Sequence, residues 1–170
     1  MSIENAFVTM VLSESYVRAG LVLGSSLRRH NPSNDYRTIC IIPTNSDLTD
    51  ASKHRLSHFW NELHLVDLIE SHDEEKLKLL GRPELGPTMT KLHVWNLESI
   101  GVKKAVFLDA DMLCLAKITD LFESDAEFAA CPDAGWPDCF NSGLFLFKPS
   151  ECTFKALMDH VIVYGSFDGI

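Results

Sequence analysis

The sequence lacks most of the signals that would take it out of the ordinary globular class. No apolar run reaches the roughly 18 residues a membrane-spanning helix needs, so no membrane partner is expected. The opening Met1-Ser2-Ile3-Glu4-Asn5 has no basic stretch followed by an apolar one. No signal peptide is therefore expected, and the cytoplasm is the default compartment. Positive charge is scarce: 15 Lys and Arg stand against 24 Asp and Glu, a net charge of −9. That balance argues against a protein built to coat nucleic acid or anionic lipid. It leaves room for a phosphate ligand, which a few placed cations and a metal can hold locally.

Cysteine usage is equally uninviting for a disulfide framework. The five cysteines, Cys40, Cys114, Cys131, Cys139 and Cys152, are odd in number and contain no C-x-x-C pair. A reducing compartment is expected, with most thiols buried in apolar surroundings. Zinc-ligand spacings are missing. The seven histidines are scattered; His54 and His58 are four apart, but no third ligand stands near them. There is no P-loop, and Gly20-Leu21-Val22-Leu23-Gly24 lies inside a helical pattern rather than forming a dinucleotide fingerprint.

What is present is a chain of 170 residues, 46% hydrophobic, enough for one domain with a real core. Ala6 to Leu12 reads as a buried parallel strand. Ser13 or Ser15 is placed to cap the helix after it, whose face carries Tyr16, Gly20, Leu23 and Leu27. Arg28, Arg29 and His30 suit that helix's negative end. A turn cluster, Asn31 to Asp35, leads to a strand from Arg37 to Ile42, stopped by Pro43. A helix from Leu48 to Phe59 turns Leu48, Arg55, Leu56 and Phe59 inward. Glu62 to Leu68 is a third strand, and Ser71 to Lys78 a charged helix. Gly81 to Pro87 reads as a rigid loop, followed by a helix capped by Thr88 or Thr90 with Leu92 and Trp95 toward the core. Lys104 to Leu108 is a fourth strand; Phe128 to Cys131 and Leu144 to Phe147 are further ones. Pro149-Ser150 opens a helix striped by Phe154, Leu157, Met158, Val161 and Ile162. The alternation predicts an α/β fold: a mostly parallel sheet, helices on both faces, ligands at the strands' carboxyl ends.

The chemistry centres on Asp109-Ala110-Asp111, directly after the fourth strand. If the chain stays extended there, residues two apart point the same way and the carboxylates form a pincer. Their oxygens suit Mg²⁺ or Mn²⁺, with positions left for substrate phosphates. A chain with 13 aspartates yields about one D-x-D by chance, so spacing alone does not decide. The context does more: Val106-Phe107-Leu108 before and Met112-Leu113 after are apolar, and charges set among apolar residues need compensation. Lys91, near a helix start, makes an anion site or a solvated surface lysine; the residues alone leave both open. Arg82 has the same ambiguity. Asn141 and Ser142 sit at an expected loop mouth where sugar hydroxyls could be read, or in a structural turn, and Gly143 permits close backbone approach. Asp133 and Asp168 are acidic loop residues.

Several runs together resemble the retaining glycosyltransferase family 8, and within it the glycogenin branch that primes glycogen by self-glucosylation. They are Phe7-Val8-Thr9, Gly20-Leu-Val-Leu-Gly-Ser-Ser-Leu27, Arg82-Pro-Glu-Leu-Gly86, Thr90-Lys-Leu-His93, Asp109-Ala-Asp111, Asp133-Ala-Gly-Trp-Pro-Asp-Cys-Phe-Asn-Ser-Gly143 and Gly165-Ser-Phe-Asp-Gly169. The resemblance implies a Rossmann-like GT-A fold binding UDP-glucose through Mn²⁺. It matches Asp109 and Asp111 to the metal ligands, and Met10, Leu12, Ser13 and Tyr16 to the residues around uridine. Arg82, Lys91, Ala110, Asn141, Ser142 and Asp168 match other donor contacts, with Lys91 and Asp168 carrying catalytic roles. Leu12-Ser13 departs from the family's usual Thr-Asn.

The family continues past Ser-Phe-Asp-Gly into a Gly-Asp-Gln-Gly run, a third metal ligand and an acceptor tyrosine. Residues 1–170 are thus expected to be the N-terminal part of one GT-A domain, C-terminally incomplete. The expected activity is a hexosyltransferase that glucosylates a protein tyrosine and extends a short α-1,4-glucan, weak or inactive in this chain alone. The resemblance also implies a glycogenin homodimer and glycogen synthase as partners. The alternative is a non-catalytic chain that binds full-length subunits or UDP-glucose.

Overall fold

The computed structural model describes residues 3–69, 83–134 and 139–164. Six strands form one sheet in the order β3-β2-β1-β4-β6-β5. They are β1 (Asn5–Met10), β2 (Arg37–Pro43), β3 (Glu62–Val66), β4 (Lys104–Leu108), β5 (Phe128–Pro132) and β6 (Phe140–Phe147). β1 pairs parallel with β2 and β4, and β2 parallel with β3. β6 runs antiparallel to β4 and to β5, with a register shift between Ala130 and Cys131. The four parallel strands therefore end together, and the first residues of β6 return to that same end.

Strand alternation divides the core in two. Phe7, Cys40, Ile42, Val106 and Leu108 face one way, toward α1 (Val17–His30) and α2 (Asp50–Ser57). Ala6, Val8, Ile39, Ile41, Ala105 and Phe107 face the other, toward a long 3-10 segment, Pro83–Ile100. α3 (Glu151–Tyr164) packs beside that segment. β1, β2 and β4 are near-continuous runs of buried residues because helical layers cover both faces, whereas β3, at the sheet edge, buries only Val66. In α1, Gly20 and Gly24 allow close packing. A Cβ at Gly24 would lie 2.8 Å from Trp60 Nε1, and that nitrogen donates to the Gly20 carbonyl at 3.0 Å.

Several local expectations are corrected. Neither serine caps α1: Ser13 Oγ bonds Ser15 Oγ at 2.7 Å, and a 3-10 turn, Glu14–Tyr16, comes first. That turn rotates Tyr16 out to solvent, and Val17 takes its place in the core. In α2, Thr49 is the cap, its hydroxyl accepting from Ser52 N at 3.2 Å. Arg55 faces solvent toward Glu14, and Ser52 is buried instead. Helical structure begins at Pro83, not after Pro87, since proline suits a first helical position. With about three residues per turn, Lys91, Val94, Leu97 and Ile100 share one row, so Val94 and Leu97 enter the core rather than Leu92. Trp95 is half-buried and stacks on Phe145 at 5.6 Å between centroids. Only Cys40 and Cys114 are buried; Cys131, Cys139 and Cys152 are exposed free thiols. The charged segment Ser71–Lys78 lies outside the described residues.

Candidate functional site: a carboxylate corner between two strands

The site forms where β4 and β6 meet at the carboxyl ends of the parallel strands. Leu108 pairs with Leu144, so Asp109 falls opposite Gly143, and Asp109 N donates to the Gly143 carbonyl at 2.8 Å. Beyond that point the chain turns. Met112 N donates to the Asp109 carbonyl at 3.1 Å, which closes a tight turn over residues 109–112. The pincer expected from an extended Asp109-Ala110-Asp111 is therefore not made by strand alternation. Asp109 keeps the strand's orientation on the side of Phe107; Ala110 is buried in the opposite core layer; Asp111 stands exposed on the turn.

Lys91 is drawn to this corner. Its row-mates Val94 and Leu97 seat the 3-10 segment on the sheet face that Phe107 also occupies, and this aims the amine at Asp109. Lys91 Nζ lies 2.9 Å from Asp109 Oδ1, and the side chains are 16% and 39% exposed. It also donates to the Ser142 carbonyl at 3.2 Å and hydroxyl at 3.3 Å, and stands 4.9 Å from the Phe107 ring centroid. Lys91 is therefore not a freely solvated lysine, and the partners it has here belong to the chain itself.

Asn141, Ser142 and Gly143 belong to strand β6 rather than to a loop mouth, because pairing with β5 extends the strand back to Phe140. Gly143 N donates to Asn141 Oδ1 at 2.8 Å, and Asn141 Nδ2 lies 3.5 Å from Asp133 Oδ2. A Cβ on Gly143 would come within 2.8 Å of Asn141 Oδ1 and 3.2 Å of Asp109 Oδ2. The missing side chain is what lets the Asp109 carboxylate rest on the neighbouring strand.

Met10 and Leu12 are on the same sheet face and at the same end as Asp109. Thr9 Oγ1 donates to the Leu108 carbonyl at 2.7 Å, a buried bond that ties β1 to the end of β4. Ser13 and Tyr16 lie in the turn just after. Met10, Leu12, Lys91, Asp109, Ala110, Asn141 and Ser142 are thus brought to one end of the sheet. Arg82 and Asp168 lie outside the described residues. Phe107 was missed as a site residue because its sequence context reads only as core, as was the Thr9 contact with the end of β4, whereas the close approach at Gly143 was legible.

The donor set at Asp109 and Asp111 fits a hard divalent cation by chemistry, being carboxylate oxygens at a rim with open positions. Among the described residues no group of three or more His, Cys, Asp or Glu side chains comes together as a metal site. Also among them, no helix is long and apolar enough to cross a membrane.

The six-stranded α/β sheet has the fold of GT-A glycosyltransferases, which are its structural neighbours. The glycosyltransferase GlyE of Streptococcus pneumoniae superposes with TM-score 0.67 at 22% identity, over 99% of this chain and 42% of that one. The galactosyltransferase LgtC, solved with donor and acceptor sugar analogs, gives 0.66 at 16% identity, over 94% and 64%. The chain belongs to Glycosyl transferase family 8, whose profile matches residues 7–168. It is 45% identical to glycogenin-1 of Oryctolagus cuniculus over 166 residues, 98% of this chain and 48% of that protein. It is 47% identical to glycogenin-2 of Homo sapiens over 166 residues, 98% of this chain and 32% of that protein. The chain thus spans half the length of these curated relatives, or less.

Proposed function

We propose that this chain is the donor-binding part of a glycogenin-type glucosyltransferase acting in the cytoplasm. Its donor is UDP-glucose, taken together with Mn²⁺ or Mg²⁺ at Asp109 and Asp111. The transferred glucose goes to a protein tyrosine with retention of configuration, and repeated transfer extends a short α-1,4-glucan that primes glycogen. The observation that carries this reading is the Asp109 carboxylate seated on Gly143 with the Lys91 amine 2.9 Å away, at the strand ends where nucleotide ligands bind in open α/β sheets.

The residues divide the work by chemistry. Met10 and Leu12 offer an apolar wall to the uracil side of the nucleotide, with Ser13 and Tyr16 at its edge. Asn141 and Ser142 offer hydrogen-bonding groups to sugar hydroxyls. Lys91 carries the positive charge that offsets the charge growing on the departing UDP. A divalent ion, when bound, would add Lewis-acid stabilisation of the same diphosphate. Arg82 and Asp168 are assigned donor contacts by family resemblance. A homodimer of glycogenin type and glycogen synthase are the proposed partners.

Calorimetric titration of UDP-glucose with Mn²⁺ tests the reading. Binding to the wild-type chain should weaken by about tenfold or more in Asp109→Asn, the loss expected for a charged group that meets the ligand complex directly. A folded wild-type chain that takes up neither the ion nor the nucleotide sugar would overturn the proposal. Co-purification with full-length glycogenin in the absence of any donor binding would point to the non-catalytic alternative.

A further inference from the structure

The Lys91 amine sits in a shell made for a cation. Three oxygens approach it, Asp109 Oδ1 at 2.9 Å and the Ser142 carbonyl and hydroxyl at 3.2 and 3.3 Å, and the Phe107 ring face lies beneath at 4.9 Å. The side chain is only 16% exposed, against 39% for its carboxylate partner. Asp109 has little freedom to offer another geometry. Its backbone N–H is fixed to Gly143, and its second oxygen lies against the Gly143 backbone, where a Cβ would stand 3.2 Å away.

Building on the donor-site reading above, we infer that Lys91 is the resident cation of Asp109 in the metal-free chain and must leave it when a divalent ion binds. An ammonium and a divalent ion repel each other at ion-pair distance, and Lys91 holds Oδ1, the carboxylate oxygen that does not lie against Gly143. Lys91 released from Asp109 keeps its charge and its place at the corner, and a nucleotide diphosphate offers it a new partner. Lys91 therefore opposes the ion alone and favours the ion together with diphosphate. Ion and nucleotide bind cooperatively as a result, and by linkage each strengthens the other by the same factor. Lys91 is in this sense a positioning residue with two mutually exclusive partners, over and above its effect on the leaving group.

The test is Mn²⁺ binding followed by the electron paramagnetic resonance of the free ion, on the wild-type chain, Lys91→Met and Lys91→Arg, first without nucleotide and then with UDP. Lys91→Met should bind Mn²⁺ alone roughly three- to tenfold more tightly than wild type, since a partly buried competing ion pair is gone. The same variant should lose most of the gain that UDP gives the wild type, while Lys91→Arg keeps it. Mn²⁺ binding that is unchanged or weaker in Lys91→Met overturns the inference. If neither protein binds Mn²⁺, both the inference and the metal part of the proposed function fall. If Mn²⁺ binding tightens but UDP-glucose binds to neither protein, the competition between Lys91 and the ion for Asp109 stands, while the coupling to nucleotide and the donor reading both fall.

A measurement on the wild-type chain guards against misfolding of the variant. Lysine acetylation read by mass spectrometry should label Lys91 slowly without metal and severalfold faster once Mn²⁺ frees the amine. A rate that Mn²⁺ leaves unchanged overturns the inference as well.

Discussion

The two sides of the sheet are built to different standards. On the parallel side, β1, β2 and β4 are buried along almost their whole length, and α1 turns Val17, Gly20, Leu23, Gly24 and Leu27 into the core. On the antiparallel side, four of the five residues of β5 are exposed, β6 is covered only over its last residues, and α3 has no fully buried residue. The candidate site lies on the seam. Asp109 comes from the sealed side, and Asn141, Ser142 and Gly143 come from the open one.

Substitutions can break or sharpen that contrast. The largest effect is expected from Phe7→Ala in the sealed half. Phe7 is fully buried, with the Tyr36 and Phe122 rings each 4.8 Å from its own. Its loss should cost about 3–5 kcal/mol in chemical denaturation. Gly143→Ala, on the seam, should cost about 1–3 kcal/mol, because a methyl group there strikes Asn141 Oδ1 and crowds Asp109. It should also weaken Mn²⁺-dependent UDP-glucose binding in calorimetry.

A smaller effect should follow from pH. His64 and His93 are both held below their ordinary value of 6.5, chiefly by burial, which disfavours the charged ring. Their folded forms bind protons less readily than the unfolded chain does. Stability is therefore fully present above about pH 6.5 and is lost as pH falls toward the depressed folded values. Thermal melts from pH 7.5 to 5.5 should show the decline, and His64→Gln with His93→Gln should flatten it. The smallest effect belongs to the open half: Ile162→Ser on α3, where the side chain is 66% exposed, should shift stability by no more than about 0.5 kcal/mol.

The same contrast explains what was legible in the sequence. β1, β2 and β4 announce themselves because burial on both faces demands near-continuous apolar runs such as Ala6 to Leu12. Their order places Asp109 and Asp111 at a carboxyl end before any coordinates are known. The local turn at 109–112 is not legible, since Asp-Ala-Asp reads equally well as extended chain. The register of Pro83–Ile100 is hidden for a related reason. Whether Leu92 or Val94 meets the sheet depends on three rather than 3.6 residues per turn, and apolar residues occupy both positions. The return of β6 to Phe140 is set by pairing with β5 across a bulge, a long-range match that Asn141-Ser142-Gly143 does not encode locally.

The packing of Trp60 against α1 gives the molecule a built-in optical reporter. Its indole is fully buried and its N–H is bonded to the Gly20 carbonyl, so its emission should be blue and resistant to quenching by solutes. Trp95 is half-buried among Phe128, Phe145 and Phe147, in the layer that carries Lys91. A ligand that disturbs the corner should alter the light from Trp95 and leave that from Trp60 unchanged. Loosening of the parallel side would change Trp60 as well.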